Sequence, residues 1–226
     1  MLVNTSTFGQ MPDGREAKLF HFEAPNGFSI SITNYGGIIT SIKAPDKNEK
    51  IDEITPGFGS LEEYLKGHPH FGVIAGRFAN RIAKGKFSIE RVDYNLPINN
   101  GPNHLHGGDK GFHTKLWNYE LNSDQNKAIL QLSYNSPHLE EGYPGNLDVV
   151  VTYTIHDNNS VEIDFEAQTD KTTHINLTSH GYFNLNAFKA KVFDHQLTLN
   201  ASKYVEIDET QIPTGKLNEC INTPFD

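Results

Sequence analysis

The 226-residue sequence has one cysteine and no long apolar run. A single thiol, Cys220, cannot form an intramolecular disulfide, so folding does not require an oxidising compartment. No stretch approaches the roughly 20 consecutive apolar residues of a transmembrane helix. The N-terminus also lacks the basic start and the apolar core of a secretory signal. We therefore expect a cytoplasmic protein that does not have a membrane as its partner.

Positive charge is scarce, with 19 Lys and Arg residues against 28 Asp and Glu and a net charge of -9. This balance argues against nucleic acid as the partner. The P-loop, the dinucleotide-binding fingerprint and the nucleophile elbow are missing as well. The sequence therefore favours a small neutral ligand that is bound without a cofactor.

Signals for β-strands recur along the chain, whereas signals for helices are few. Alternating apolar residues flank two turn sequences, Pro25-Asn26-Gly27 and Asp157-Asn158-Asn159, and predict two β-hairpins. A capping-box spacing at Ser60 and Glu63 predicts a short helix. Further short strands are predicted at Phe87–Ile89, Tyr94–Leu96, Ile129–Leu132 and Leu197–Leu199. Together these signals predict one all-β domain, a sandwich or barrel spanning residues 1–226.

Three stretches carry more polar functional groups than a β core requires: Gly76–Ile82 (GRFANRI), Asn103–His113 (NHLHGGDKGFH) and Asn176–Leu185 (NLTSHGYFNL). Arginine offers a fixed fork of donors and asparagine both donates and accepts, which suits the hydroxyl groups of a polyol. Tyr182 can give the C–H face of a sugar an apolar platform. Taken singly, each stretch has a plainer explanation: surface salt bridges for the arginines, and a backbone carbonyl partner for a buried His180.

The three histidines of the second stretch raise the question of a metal site. His104 and His106 would share one face of a strand, which is compatible with a metal ion but requires further converging ligands. The sequence has no second dense cluster of Cys, His or carboxylate residues. We expect no metal, and a His-rich metal protein remains an alternative.

Taken together, the polar stretches resemble the aldose 1-epimerase (galactose mutarotase) family. The matching blocks, in chain order, are GRFANRIAKGKF at 76–87, INNGPNHLHGG at 98–108, GFHTKLW at 111–117, EEGYPGNL at 140–147, NLTSHGYFNL at 176–185 and DETQIPTG at 208–215. The resemblance implies a large twisted antiparallel β-sandwich, the galactose mutarotase-like supersandwich. It also implies the interconversion of the α and β anomers of free aldoses such as glucose and galactose.

The resemblance assigns roles to individual residues. His180 is implied as the proton donor to the ring oxygen of the sugar, and His106 as a catalytic residue that hydrogen-bonds near the same oxygen. The substrate-binding residues that it implies are Asn80, Arg81, His106, His180, Gly181 and Tyr182. Gly181 stands where the family more often has serine, so we expect a changed substrate contact with the chemistry retained. Histidine suits proton transfer because its ordinary pKa, about 6.5, lies near neutral pH.

The general base implied by the resemblance is a glutamate in the C-terminal part of the family domain, and a substrate-binding aspartate lies there too. Neither has a counterpart among these residues, so we expect a C-terminally truncated, impaired mutarotase that lacks its last strands. Such a sandwich would expose strand edges and apolar faces. Three carboxylates could be proposed as substitute bases. We expect Glu140 and Glu141 in a solvated loop and Asp164 on the outer face of a strand instead.

Two other functions stay open beside the epimerase. A non-catalytic carbohydrate-binding β-sandwich would bind sugar without accelerating its mutarotation, and a His-rich metal protein would purify with a metal ion. A phosphorylated-sugar epimerase is less favoured, because the NHLHGG and NLTSHGYFNL blocks resemble the free-sugar branch. The sequence leaves open both the preferred aldose and the oligomeric state.

Overall fold

The computed structural model describes all residues from Met1 to Asp226, and its first sheet is an antiparallel meander. Its strands are β1 (Leu2–Gln10), β2 (Glu16–Glu23), β3 (Ser29–Thr33), β4 (Ile39–Pro45) and β5 (Ile51–Glu53). The predicted hairpin at Pro25-Asn26-Gly27 is confirmed, because β2 and β3 pair on either side of this turn. Gly27 has φ 87°, the left-handed conformation that glycine adopts without a steric penalty.

A short helix and several two-stranded pairs follow the first sheet. They are α1 (Leu61–Leu65), β6 (Ile74–Ala75), β7 (Arg81–Ile82), β8 (Lys86–Ile89), β9 (Val92–Asn95) and β10 (His104–Leu105). The predicted helix is therefore present, with Ser60 at its N-cap. The Ser60 hydroxyl donates to the Glu63 carboxylate at 2.9 Å and caps no backbone N–H group. No helix has the length and hydropathy needed to cross a membrane.

The second large sheet is again an antiparallel meander. It contains β11 (Asn118–Ser123), β12 (Lys127–Ser136), β13 (Leu147–His156) and β14 (Val161–Thr169). The second predicted hairpin is confirmed, because β13 and β14 pair across Asp157-Asn158-Asn159. The chain continues through β15 (Thr178–Ser179), which pairs with β6, and through the hairpin of β16 (Lys203–Ile207) and β17 (Pro213–Glu219).

Apolar side chains of the two large sheets pack face to face and form the core. In β13 alternate residues from Leu147 to Ile155 are buried, as the two-residue period of a strand requires. They meet Phe20, Ile30 and other residues of the first sheet in one buried cluster. The predicted all-β sandwich is thus confirmed, and neither sheet closes into a barrel.

The C-terminal part of the chain contributes little to this core. Every buried apolar side chain lies between Phe8 and Ile155, whereas most of the exposed large ones follow Ile175. The exposure of apolar surface expected from the sequence is therefore observed. The predicted strand at Leu197–Leu199 is wrong: the segment pairs with no neighbour, and Leu197 is 81% exposed. Alternating apolar residues form a strand only where a sheet receives them.

The packing of the two sheets predicts a large stability difference between two leucine-to-alanine variants. Leu130→Ala removes a buried side chain from the sandwich core and should lower the free energy of unfolding by about 2–5 kcal/mol. Leu217→Ala, at a position that is 62% exposed, should change it by less than about 0.5 kcal/mol. Urea denaturation followed by fluorescence of the single tryptophan measures both values. Equal losses would contradict the assignment of the core.

Candidate active site

Five histidine rings lie together beside the paired strands β6 and β15. We call them the histidine cluster: His68, His70, His106, His113 and His180. The centroids of neighbouring rings in this cluster are 4.8–6.5 Å apart. His106 and His180, the two implied catalytic residues, are 5.0 Å apart with their rings nearly perpendicular. The structure therefore brings together two side chains that lie far apart in the sequence.

Backbone hydrogen bonds between distant segments hold His180 in this position. Strands β6 and β15 pair, and the His180 N–H group donates to the carbonyl of Val73 at 2.8 Å. The Gly72 N–H group donates to the carbonyl of His180 at 3.0 Å. Asn176 extends the contact, because its carbonyl accepts from the Ala79 N–H group at 2.7 Å. The NLTSHGYFNL stretch is thereby fixed alongside the GRFANRI stretch.

His106 is oriented by Asn80 through two hydrogen bonds. The His106 N–H group donates to the Asn80 carbonyl at 3.1 Å, and the Asn80 N–H group donates to His106 Nδ1 at 3.0 Å. Because a backbone N–H group can only donate, Nδ1 is the acceptor and the neutral ring carries its hydrogen on Nε2. His106 therefore presents an N–H donor on the side of its ring that is not bound to Asn80.

Several residues around the cluster have left-handed backbones. Their φ angles are 61° for His70, 67° for Asn80 and 52° for His106. Such conformations cost roughly 1–3 kcal/mol for a residue other than glycine and collect at functional sites. Gly107 could not be replaced here, because a Cβ atom would lie 1.8 Å from the carbonyl oxygen of Gly76. The LHGG segment is thus folded tightly against the GRFANRI stretch.

Burial keeps four rings of the cluster, those of His68, His70, His106 and His113, uncharged near neutral pH by lowering their pKa values. It lowers the pKa of His106 to about 4, with further lowering by the charged forms of His70 and His180 and by Arg81. It also lowers the pKa of His68 to about 4 and that of His113 to about 3. Imidazoles this close together cannot all be charged, because like charges disfavour one another.

The two arginines of the GRFANRI stretch have different environments. Arg77 is buried, and its guanidinium donates to Ser136 Oγ and to the carbonyls of Ser136, Pro137 and Pro144 at 2.7–3.0 Å. Arg81 is half-buried and donates from Nε to Asn100 Oδ1 at 3.0 Å. The Asn80 side chain accepts from the Arg81 N–H group at 2.9 Å. Arg77 thus anchors the fold, whereas Asn80 and Arg81 lie beside His106.

Tyr182 and Gly181 lie on opposite sides of their segment. The Tyr182 ring stacks on the His180 ring at 5.1 Å, and its hydroxyl donates to the Pro69 carbonyl at 3.2 Å. A Cβ atom at Gly181 would point the other way, 3.1 Å from the ring of Phe183. Gly181 and Phe183 line an apolar cavity of about 550 Å³ between the sheets. The structure therefore groups Tyr182 with the cluster and separates Gly181 from it.

His104 differs from His106 more than their spacing indicated. His104 is fully buried, with Nδ1 bound to the Pro97 carbonyl and Nε2 to the Tyr143 hydroxyl, both at 2.7 Å. The prediction that the two histidines share a strand face is wrong. β10 ends at Leu105, and the left-handed turn at His106 breaks the alternation.

Sequence reasoning missed three members of the cluster. The family motifs assign no role to His113, and they do not include His68 or His70. A signal was present in the GHPHFG segment, whose two histidines flank a proline.

No group of three or more His, Cys, Asp or Glu side chains is arranged to hold a metal ion.

The carboxylates considered as substitute bases lie elsewhere. The expectation of a solvated loop is wrong for Glu140, whose side chain is 15% exposed. It forms an ion pair with Lys115 and accepts from the Tyr134 hydroxyl at 2.8 Å. Glu141 Oε2 is buried without a hydrogen-bond partner, and Asp164 is exposed on its strand, as expected.

The lowered histidine pKa values predict a pH dependence of stability. Unfolded histidines titrate at about 6.5, so between pH 6.5 and 4.5 the unfolded state binds more protons than the folded state. The free energy of unfolding should therefore fall as the pH is lowered through this range. Urea denaturation at a series of pH values measures the slope. His113→Phe should reduce it and His21→Phe, outside the cluster, should not; a slope unchanged by His113→Phe would contradict the assignment.

The contrast between the two arginines predicts that substitution by lysine destabilises the protein at position 77 much more than at position 81. Arg77→Lys keeps the charge but loses the fork of buried donors, so it should lower the free energy of unfolding by about 2–4 kcal/mol. Arg81→Lys should lower it by less than about 1 kcal/mol. Thermal and urea denaturation of both variants make the comparison, and equal losses would refute the structural role of Arg77.

Comparison with known proteins adds to this geometry. Residues 18–226 match the family model described as aldose 1-epimerase. The galactose mutarotase of Sus scrofa is 40% identical over 226 residues, which cover 99% of this chain and 64% of that protein. The aldose 1-epimerase of Haemophilus influenzae is 35% identical, with 100% of this chain and 65% of that protein covered.

A solved structure shares the fold as well. The crystal structure of galactose 1-epimerase from Lactobacillus acidophilus aligns with a TM-score of 0.88 and 27% identity, over 100% of this chain and 65% of the other. The chain thus spans somewhat less than two thirds of the length of these relatives. The family match over most of the chain and the shared fold lead to one conclusion: this chain belongs to the aldose 1-epimerase family.

Proposed function

We propose that this protein interconverts the α and β anomers of a free aldose by opening and reclosing the sugar ring. The observation that carries the proposal is the approach of His106 and His180, whose ring centroids are 5.0 Å apart. Two imidazoles at this separation can both reach one ring oxygen. The matched relatives named galactose mutarotase and aldose 1-epimerase support the same reaction.

The acid side of the reaction follows from the two histidines. His106 donates a hydrogen bond from Nε2 to ring atom O5 of the sugar. Nε2 is available for this bond because Asn80 binds the other ring nitrogen, Nδ1. Protonated His180 transfers its proton to O5 while the C1–O5 bond breaks. At the same time the O1 hydroxyl loses its proton to a solvent water molecule, and C1 becomes an aldehyde carbon. Rotation about C1–C2 and the reverse transfers then close the ring to the other anomer.

The other side chains of the site suit a polyol. Arg81 and Asn80 offer donors and an acceptor to sugar hydroxyl groups, and the exposed part of the Tyr182 ring offers an apolar face. The acidic net charge suits a neutral substrate better than a phosphorylated one. We place the reaction in the cytoplasm, with no cofactor and no metal ion.

A second candidate function is sugar binding without catalysis. What favours it is the position of the carboxylates: Glu140 is engaged by Lys115, Glu141 lies against Gly108, and Asp164 is on an outer strand face. The glutamate base implied by the family resemblance is not among these 226 residues. With these three carboxylates engaged elsewhere, a site that binds sugar would leave its rate of mutarotation unchanged.

Polarimetry with freshly dissolved α-D-glucose or α-D-galactose separates the two candidates. We expect the protein to accelerate the approach to equilibrium, and His180→Ala to remove about 10²–10⁴-fold of that acceleration. His21→Ala, on β2 and outside the cluster, is the control and should keep it.

Two outcomes would count against the proposal. Calorimetric binding of sugar at the uncatalysed rate of mutarotation would establish the binding function instead. Acceleration that survives His180→Ala would refute the acid role of His180.

A further inference from the structure

His70 occupies the centre of the histidine cluster. Its ring centroid lies 4.8 Å from that of His106, 4.9 Å from His113, 5.9 Å from His180 and 6.0 Å from His68. No other member of the cluster contacts all the rest. His70 is thus in contact with both of the histidines to which the proposed function assigns the acid side of the reaction.

The ring nitrogens of His70 are free to bind a ligand. Neither makes a hydrogen bond within the protein, and neither is shut off from solvent, in contrast to the buried Nδ1 atoms of His68 and His113. Burial of the ring lowers the pKa of His70, and the charged form of His180 lowers it further. The neutral imidazole therefore offers one donor and one acceptor at pH 7.

The position of His70 is fixed by the segment that carries His180. The Tyr182 hydroxyl donates to the Pro69 carbonyl at 3.2 Å, and the Phe71 ring meets the Tyr182 ring edge-on at 5.4 Å. Two residues after His70, the Gly72 N–H group donates to the His180 carbonyl. Residues on both sides of His70 are thereby attached to one short segment, and His70 itself adopts a left-handed backbone between them.

We propose that His70 is a further sugar-binding residue, whose imidazole hydrogen-bonds a substrate hydroxyl group between His106 and His180. A hydroxyl group also has a donor and an acceptor, so it matches a neutral imidazole. The inference rests on the proposed function, since it requires the sugar to occupy the same site. It adds a contact that neither the sequence motifs nor the acid-side mechanism supplies.

The test uses NMR of the histidine Cε1–H groups in the full 226-residue chain, titrated with D-galactose and with D-glucose. We expect the sugar to shift the His70 resonance together with those of His106 and His180. His70→Phe, which keeps a planar ring and removes both nitrogens, should weaken sugar binding about tenfold. His70→Gln, which restores a donor and an acceptor, should bind within about threefold of the wild type.

His68→Phe is the matched control, because it makes the same change two residues upstream without contact to His106 or His180. It should leave the dissociation constant within about twofold. Sugar shifts at His106 and His180 without one at His70 would overturn this inference and leave the proposed function standing. Equal weakening by His68→Phe and His70→Phe would also overturn it, as a packing effect. No sugar shift at any histidine would overturn both proposals.

Discussion

The site depends on hydrogen bonds between two backbone segments that are about a hundred residues apart in the chain. Val73 and Gly72 pair with His180, and Ala79 pairs with Asn176. The first segment leads into Asn80, which orients His106, and the second carries His180. One set of backbone contacts thus determines the distance between the two imidazoles. Backbone amides offer little freedom of position, so the geometry is set before any substrate arrives.

The packing of five imidazoles also limits their protonation. A second positive charge among rings about 5 Å apart is disfavoured by repulsion as well as by burial. The cluster can therefore carry one positive charge far more easily than two. His106 has Nδ1 committed to the Asn80 N–H group and acts as a hydrogen-bond donor. Proton transfer thus falls to a ring whose nitrogens are free, and the proposed acid His180 satisfies this condition.

The sequence predicted correctly those features that depend on neighbouring residues in the chain. Both hairpins followed from their turn residues, and the family motifs identified His106 and His180, which the fold brings into contact. The proposed sugar contact of His70 was not predictable in this way. Its contacts are made across the fold, and its loop has no periodicity. The strand predicted at Leu197–Leu199 is absent for a related reason, because an alternating pattern does not reveal whether a neighbouring strand exists.

Gly181 belongs to the same motif as His180 and Tyr182 but faces a different part of the molecule. In an extended segment, neighbouring side chains point to opposite faces, so position 181 faces away when His180 and Tyr182 face the cluster. The backbone of Gly181 needs no left-handed angle, and a serine Cβ would meet only the ring edge of the exposed Phe183 at 3.1 Å. The backbone conformation at position 181 therefore does not require glycine. The hydroxyl group that the family's commoner serine adds would lie on the side of the apolar cavity, so its loss leaves the face that carries His180 and Tyr182 unchanged.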